Sequence, residues 1–270
     1  MARPRIMGVV NVTPDSFSDG GRLASVTAAV DHAMRLAADG ADILDIGGES
    51  TRPGAEPVGE HEEIARVAPV IAGVRARWGG PISIDTLKPG VARAAVAAGA
   101  TIWNDVSGLT WAEDSLATAV ELGCATCLMH MKGEPRTMQA DPRYDDVAAE
   151  VFGALAARAA AAMAAGMARD RIWLDPGVGF GKTAEHNLAL TARLDELAAL
   201  GFPVLYGASR KRVIQAVDPT ADDPGDRIGG SLALALEAAR RGAAVIRVHD
   251  VRETAQALKL QAAVANAAKG

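Results

Sequence analysis

Short apolar runs alternate with Ala-rich stretches from one end of this 270-residue chain to the other. The runs at 6–10, 42–46, 81–84, 101–103, 124–129, 172–174, 204–206 and 244–248 read as strands. Helical patterns follow at 26–38, 60–78, 88–97, 112–121, 145–164, 186–198, 211–216 with 229–240, and 253–267. The strands are apolar on both faces, as parallel strands covered on both sides must be. Gly40, Gly99, Gly123, Gly166, Gly201 and Gly242 stand where helices end, and Pro89 stands in a first turn. Eight βα units with no linker predict one closed (β/α)8 barrel over residues 1–270, with its chemistry at the C-terminal ends of the strands. A doubly wound open sheet is the alternative topology.

Composition narrows the function. The net charge of −5 argues against nucleic acid as the main partner. Cys124 and Cys127 form C-x-x-C inside an apolar strand. Residues three apart on a strand face opposite ways, so the pair neither bridges nor chelates, and His130 behind it lacks a second thiol pair for zinc. The apolar run of the first strand ends at Val10, too short for a secretion signal. No apolar stretch is expected to reach membrane-spanning length; the most apolar, 154–168, contains Arg158 and reads as a buried helix. A cytoplasmic setting with no membrane partner follows.

The stretch Ile172–Thr183 reads IWLDPGVGFGKT. It is not a phosphate loop, because the first glycine of that motif would fall on Pro176. It is not a dinucleotide fingerprint either, because Gly177, Gly179 and Gly181 run G-x-G-x-G. Lys182 reads as a surface or capping residue. What remains is Asp175 at a strand end beneath a glycine loop.

Nearly every strand ends in a polar group. Asn11, Asp45, Asp85 with Thr86, Asn104 with Asp105, His130, Asp175, Ser209 to Lys211, and Arg247 with His249 and Asp250 occupy these ends in turn. Helix capping and turns account equally well for Thr86, Asp105 and Asp250. They do not account for Asp45, Asp85, Asn104, Asp175 and Lys211 together, because converging carboxylates repel unless a cation, a metal or a donor-rich ligand compensates. Carboxylate acceptors and a lysine donor suit a flat heterocycle with an amidine-like edge and a carbonyl, such as a pterin or a guanine. Arg247 can stack on such a ring. Asn11, Thr51, Arg52, Ser209, Arg247 and His249 make a second, anion-binding set, so the ligand is expected to carry a phosphate-like group.

The motifs NVTPDSFSDGG at 11–21, DIGGESTRPGA at 45–55, SIDT at 83–86, NDVSG at 104–108, DPGVGFGKT at 175–183, GASRK at 207–211 and RVHDV at 247–251 run from the first strand to the last helix. Together the chain resembles the dihydropteroate synthases. The resemblance implies a TIM-barrel enzyme of folate biosynthesis. Such an enzyme condenses 6-hydroxymethyl-7,8-dihydropterin diphosphate with 4-aminobenzoate, with Mg2+, releasing pyrophosphate and 7,8-dihydropteroate. It further implies that Asp85, Asn104, Asp175 and Lys211 hold the dihydropterin. Thr51, Arg247 and His249 would meet the diphosphate, and Asn11 would ligate Mg2+. Phe17, Arg52, Pro53, Phe180, Ser209 and Lys211 would line the aminobenzoate pocket. Asp85, Lys211, Arg247 and His249 are the implied catalytic set, and a homodimer formed through outer helices is the implied assembly.

The chain departs from the family pattern at Val178, Arg212 and Gln215, which touches affinity rather than the reaction. No insertion stands beside Phe180, so ordinary sulfonamide sensitivity is expected. The Gly-, Pro- and Ser-rich segments 12–22 and 49–59 are expected to act as lids. Two other readings share part of this inventory. A methyltetrahydrofolate–corrinoid methyltransferase would use Asp85, Asn104 and Asp175 but not the anion set. A non-catalytic pterin-binding paralogue would bind without turnover. A barrel whose strand-end residues are only caps would do neither.

Overall fold

The computed structural model describes residues 3–12, 21–50, 56–133 and 137–267. The elements run β1 (Arg5–Asn11), α1 (Gly21–Asp39), β2 (Ile43–Gly47), α2 (Glu60–Arg77), β3 (Ile82–Asp85), α3 (Pro89–Ala97), β4 (Ile102–Asp105), α4 (Ser115–Leu122) and β5 (Ala125–Met129). They continue with α5 (Val147–Ala164), β6 (Ile172–Asp175), α6 (Ala184–Ala192), α7 (Leu194–Ala198), β7 (Leu205–Tyr206), α8 (Arg212–Val217), α9 (Ile228–Arg240), β8 (Val245–Val248) and α10 (Val251–Ala267).

All the pairings are parallel, in the order β6-β5-β4-β3-β2-β1-β8-β7. The two edges meet through a parallel bridge between Leu174 and Val204, and Leu174 N donates to Pro203 O at 3.0 Å. The strands therefore close into the expected (β/α)8 barrel rather than an open sheet. One predicted helix, 186–198, is two: Arg193 leaves helical geometry at φ −118°, ψ 20° and separates α6 from α7. α6 also starts earlier than expected, because Thr183 and His186 cap each other's backbone in a capping box.

The two-residue period of the strands divides the core. Inward residues at the N-terminal end, Met7, Ile43, Ile102, Cys127, Trp173, Leu205 and Val245, form one apolar layer that plugs the barrel. Outward residues such as Ile6, Leu44, Ile84, Trp103 and Leu128 pack under the helices in the larger cluster. Each large side chain buried in this way contributes about 1.5–3 kcal/mol. Cys124 belongs to the outer cluster and Cys127 to the inner plug, and neither is bonded, as their spacing requires.

The expectation about membrane-spanning length needs correcting. α5 has the length and apolarity to cross a membrane, because its alanines offset Arg158. Val151, Phe152 and Leu155 bury one face in the outer cluster, and Arg158 donates to the carbonyls of Gly108 and Leu109 at 2.9 and 3.0 Å.

Candidate active site

Above the apolar plug, the inward positions of β2, β3, β4, β6 and β8 are polar, whereas β1, β5 and β7 continue with Val9, Met129 and Gly207. Two residues beyond Ile43, Ile102, Trp173 and Val245 stand Asp45, Asn104, Asp175 and Arg247, while β3 turns Ser83 and Asp85 inward. Register places Asp45 beside Ser83, Gly47 beside Asp85, and Asp85 beside Asn104. Periodicity thus produces a polar floor directly on an apolar one.

Arg247 is the hub of that floor. Its Nε donates to Asp45 Oδ2 at 2.6 Å and its Nη2 to Asp85 Oδ2 at 2.7 Å. Asn104 Nδ2 donates to the same Asp45 oxygen at 3.4 Å. On the far side, Asp175 Oδ1 accepts from Gly177 N at 2.7 Å. Lys211 Nζ donates to Val178 O and lies 4.7 Å from the centre of the Phe180 ring. Three buried acceptors, Asp45 Oδ1, Asp85 Oδ1 and Ser83 Oγ, have no partner among the described residues. Buried polar atoms are normally satisfied, so this cluster suits a ligand that brings its own donors.

Burial dominates the charges here. It pushes Asp85 up to about 7; Arg247 opposes the shift, while Asp45, Glu63 and Asp105 add to it. It raises Asp175 against the pull of Lys211, and it lowers Lys211 to about 8 against the pull of Asp175. For Arg247, burial works against the charge, but Asp45 and Asp85 overcome it and hold the guanidinium charged. Three carboxylates and two cations leave the floor acidic.

The turn after β7 aims the remaining polar groups. Arg210 adopts a left-handed φ of 60°, which costs a non-glycine residue about 1–2 kcal/mol. Ser231 Oγ accepts its N–H at 2.9 Å, Asp250 pairs with its guanidinium at 2.6 Å, and Arg227 donates to its carbonyl at 3.0 Å. With that turn held, Ser209 Oγ meets His249 Nδ1 at 3.1 Å and accepts from His249 N at 3.2 Å. Gln215, one of the departures, accepts from Arg227 at 3.1 Å and donates to Asp222 at 2.6 Å, so it braces the same turn.

The structure thus gathers Asp85, Asn104, Asp175, Lys211, Arg247, Phe180, Ser209 and His249 at one end of the barrel, with Asn11 exposed at the end of β1. Phe17, Thr51, Arg52 and Pro53 lie outside the described residues, as do parts of both expected lids. Thr86 and Asp105 serve their own loops: Thr86 Oγ1 accepts from Lys88 N at 3.2 Å, and Asp105 accepts from Ser107 N at 2.7 Å and Leu109 N at 3.0 Å.

Two features were not foreseen. Leu87, Val106 and Met129, with Met131 and Phe180 against them, form an apolar wall beside the polar floor. Ser83 joins the floor, and its spacing of two from Asp85 was the available signal. One expectation is overturned: Lys182 is not a surface residue but 3% exposed, with its ammonium inside the glycine loop.

A model of the pterin binding enzyme family matches residues 7–249. The dihydropteroate synthase of Escherichia coli K12 is 46% identical over 267 residues, covering 99% of this chain and 94% of that protein. The dihydropteroate synthase of Neisseria meningitidis serogroup B is 51% identical over 265 residues, covering 96% and 92%.

This chain belongs to the dihydropteroate synthase family of pterin binding enzymes.

Solved members of the family share its fold in detail. Xanthomonas albilineans dihydropteroate synthase with 4-aminobenzoic acid superposes with a TM-score of 0.91 at 51% identity, over 97% of this chain and 93% of that one. The complex of the Xanthomonas albilineans synthase with 7,8-dihydropteroate gives a TM-score of 0.88 at 48% identity, over 97% and 94%.

Proposed function

We propose that this chain condenses 6-hydroxymethyl-7,8-dihydropterin diphosphate with 4-aminobenzoate, forming 7,8-dihydropteroate and pyrophosphate. The polar floor carries the proposal: acceptors on Asp85, Asn104 and Asp175, two of its carboxylates with an unpartnered oxygen, face a site whose cations are Arg247 and Lys211. Such a floor binds the N–H edge of a pterin through its carboxylates and the pterin carbonyl through Lys211. Arg247 and His249, on one strand end, would meet the diphosphate with Thr51, and Arg247 would also stack on the ring.

The chemistry follows from the charge balance. Loss of pyrophosphate leaves a cationic pterin methylene carbon, which the surplus of carboxylates in the floor favours. The arylamine then attacks that carbon from a pocket formed by Phe180, Lys211 and Ser209 together with Phe17, Arg52 and Pro53. Positioning and charge do the work, and no covalent enzyme intermediate is required.

Mg2+ is part of the proposal. Among the described residues no group of three or more His, Cys, Asp or Glu could hold a metal ion. Asn11 offers one exposed amide oxygen, which fits a cation that keeps its waters and its phosphate ligands. When bound, Mg2+ would neutralise charge on the departing pyrophosphate.

A homodimer and a cytoplasmic setting complete the reading. Leu260 and Val264, four apart on α10, are 66% and 64% exposed, which suits outer-helix packing. Two unpaired thiols suit a reducing compartment. The deciding assay supplies both substrates and Mg2+ and measures pyrophosphate. Its absence with pterin still bound would point to a binding module, and methyl transfer from methyltetrahydrofolate would point to the corrinoid reaction.

A further inference from the structure

Lys182 stands outside every role assigned so far, yet it is among the most buried cations of the chain, 3% exposed. An ammonium withdrawn from water costs several kcal/mol unless its donors are used. Lys182 uses all three of them. Its Nζ lies 2.9 Å from Phe180 O, 3.0 Å from Gly177 O, 3.1 Å from His130 Nδ1 and 3.2 Å from His130 O. Burial, followed by the Lys182 charge itself, pushes His130 down to about 4, so at neutral pH the ring is uncharged and can accept at Nδ1.

Those acceptors lie on two different segments. Gly177 and Phe180 are the two ends of the glycine turn after β6, and His130 follows the end of β5. The turn carries left-handed glycines at 177, 179 and 181, with φ of 67°, 84° and 66°. A backbone so rich in glycine loses more entropy on ordering than any other and does not hold one shape by itself. Lys182 grips its ends, while Lys211 grips its middle through Val178 O and lies over the Phe180 ring. The ring and the carbonyl that shape the proposed arylamine pocket are therefore held from behind by a second lysine.

We propose that Lys182 is a positioning residue for the arylamine pocket: by tying the carbonyls of Gly177 and Phe180 to the end of β5, it fixes the glycine turn in the conformation that presents Phe180 and Val178 to Lys211. The proposal rests on the synthase reading of the site. It makes the effect of Lys182 larger for the second substrate than for the first, because the part of the pterin floor on β2, β3, β4 and β8 has its own pairings, while Asp175 and Lys211 touch the turn only through Gly177 N and Val178 O.

The test uses Lys182→Met, which keeps length but removes every donor, and Lys182→Gln, which keeps two. Losing these hydrogen bonds predicts a KM for 4-aminobenzoate raised about 10-fold in Lys182→Met and by less in Lys182→Gln. The KM for the dihydropterin diphosphate is expected to rise clearly less, since only Asp175 and Lys211 of its binding set touch the turn. Unchanged KM values for both substrates, or a parallel rise in both, would overturn the proposal. Hydrogen exchange gives a readout independent of turnover: amides 177–180 should exchange about tenfold faster in Lys182→Gln, while those of β3 and β4 keep the parental rate. Equal exchange in that turn overturns the proposal, as does a Lys182→Gln protein that fails to fold. A parent that releases no pyrophosphate refutes the synthase reading, and the exchange measurement then decides the role of Lys182 by itself.

Discussion

Arg247 and Asp45 are 202 residues apart in sequence and 2.6 Å apart in space. Their strands, β8 and β2, are not neighbours, since β1 lies between them, so the pair reaches across the barrel interior. Asp45 also raises Asp85, which Arg247 shares. In Asp45→Asn the repulsion on Asp85 disappears and its pKa should fall. The acid limb of kcat/KM for the pterin substrate is then expected to move to lower pH, and a pH–rate profile of the variant against the parent measures the shift.

The parent profile itself should be narrow. Asp85, pushed up to about 7, must be ionised to accept from a pterin edge, and Lys211, lowered to about 8, must be protonated to donate. The rate is expected to rise through the first value and fall through the second. A broad plateau from pH 5 to pH 10, on the order of the range between unperturbed carboxylate and lysine values, would contradict these roles.

The same shift has a signature in stability. Asp85 binds its proton more tightly when folded than when unfolded, from an ordinary value of 3.8 to about 7. Its contribution is fully present below the unfolded value and is lost as pH rises through the folded one. Urea denaturation at about pH 5 and about pH 8 should therefore show the parent losing stability relative to Asp85→Asn as pH rises.

A second ionic cluster behind the floor should be costly to break. Lys88 pairs with Glu49 and, at 2.6 Å, with Glu63, which is fully buried. Lys88→Met leaves Glu63 without its cation and should cost about 3–5 kcal/mol in urea denaturation. Adding Glu63→Gln to that variant should recover part of the loss, since the buried charge is then gone.

Gly177 tests the turn directly. Its φ is 67°, and a Cβ there would lie 1.9 Å from His130 O. Gly177→Ala must therefore move the backbone, and a loss of about 2 kcal/mol or more is expected in thermal denaturation. In contrast, Lys211→Ala should leave the fold largely intact and lower kcat/KM by at least about 100-fold, because it removes a charge from the floor of the site.

Particular residues show what could be read in advance. Asp85, Asn104, Asp175 and Arg247 were legible because strands have a period of two and barrel chemistry lies at strand ends, so one-dimensional position already implied convergence. Lys182 was not. Lysine is normally exposed, and three of its four partners here are backbone carbonyls, which every residue possesses and no sequence pattern marks. The break at Arg193 was also hidden, because alanines and leucines continue a helical pattern through it.

The order of apolar runs and alanine-rich helices determined the barrel and the end at which its polar residues gather, because burial and periodicity act along the chain. Tertiary structure alone decided which charges touch. Arg247 joins Asp45 to Asp85, and Lys182 turns inward to hold the glycine turn while Lys211 faces the site. The physical reason is that charge pairing and desolvation depend on distances across the barrel, and those distances exist only once Leu174 and Val204 have closed it.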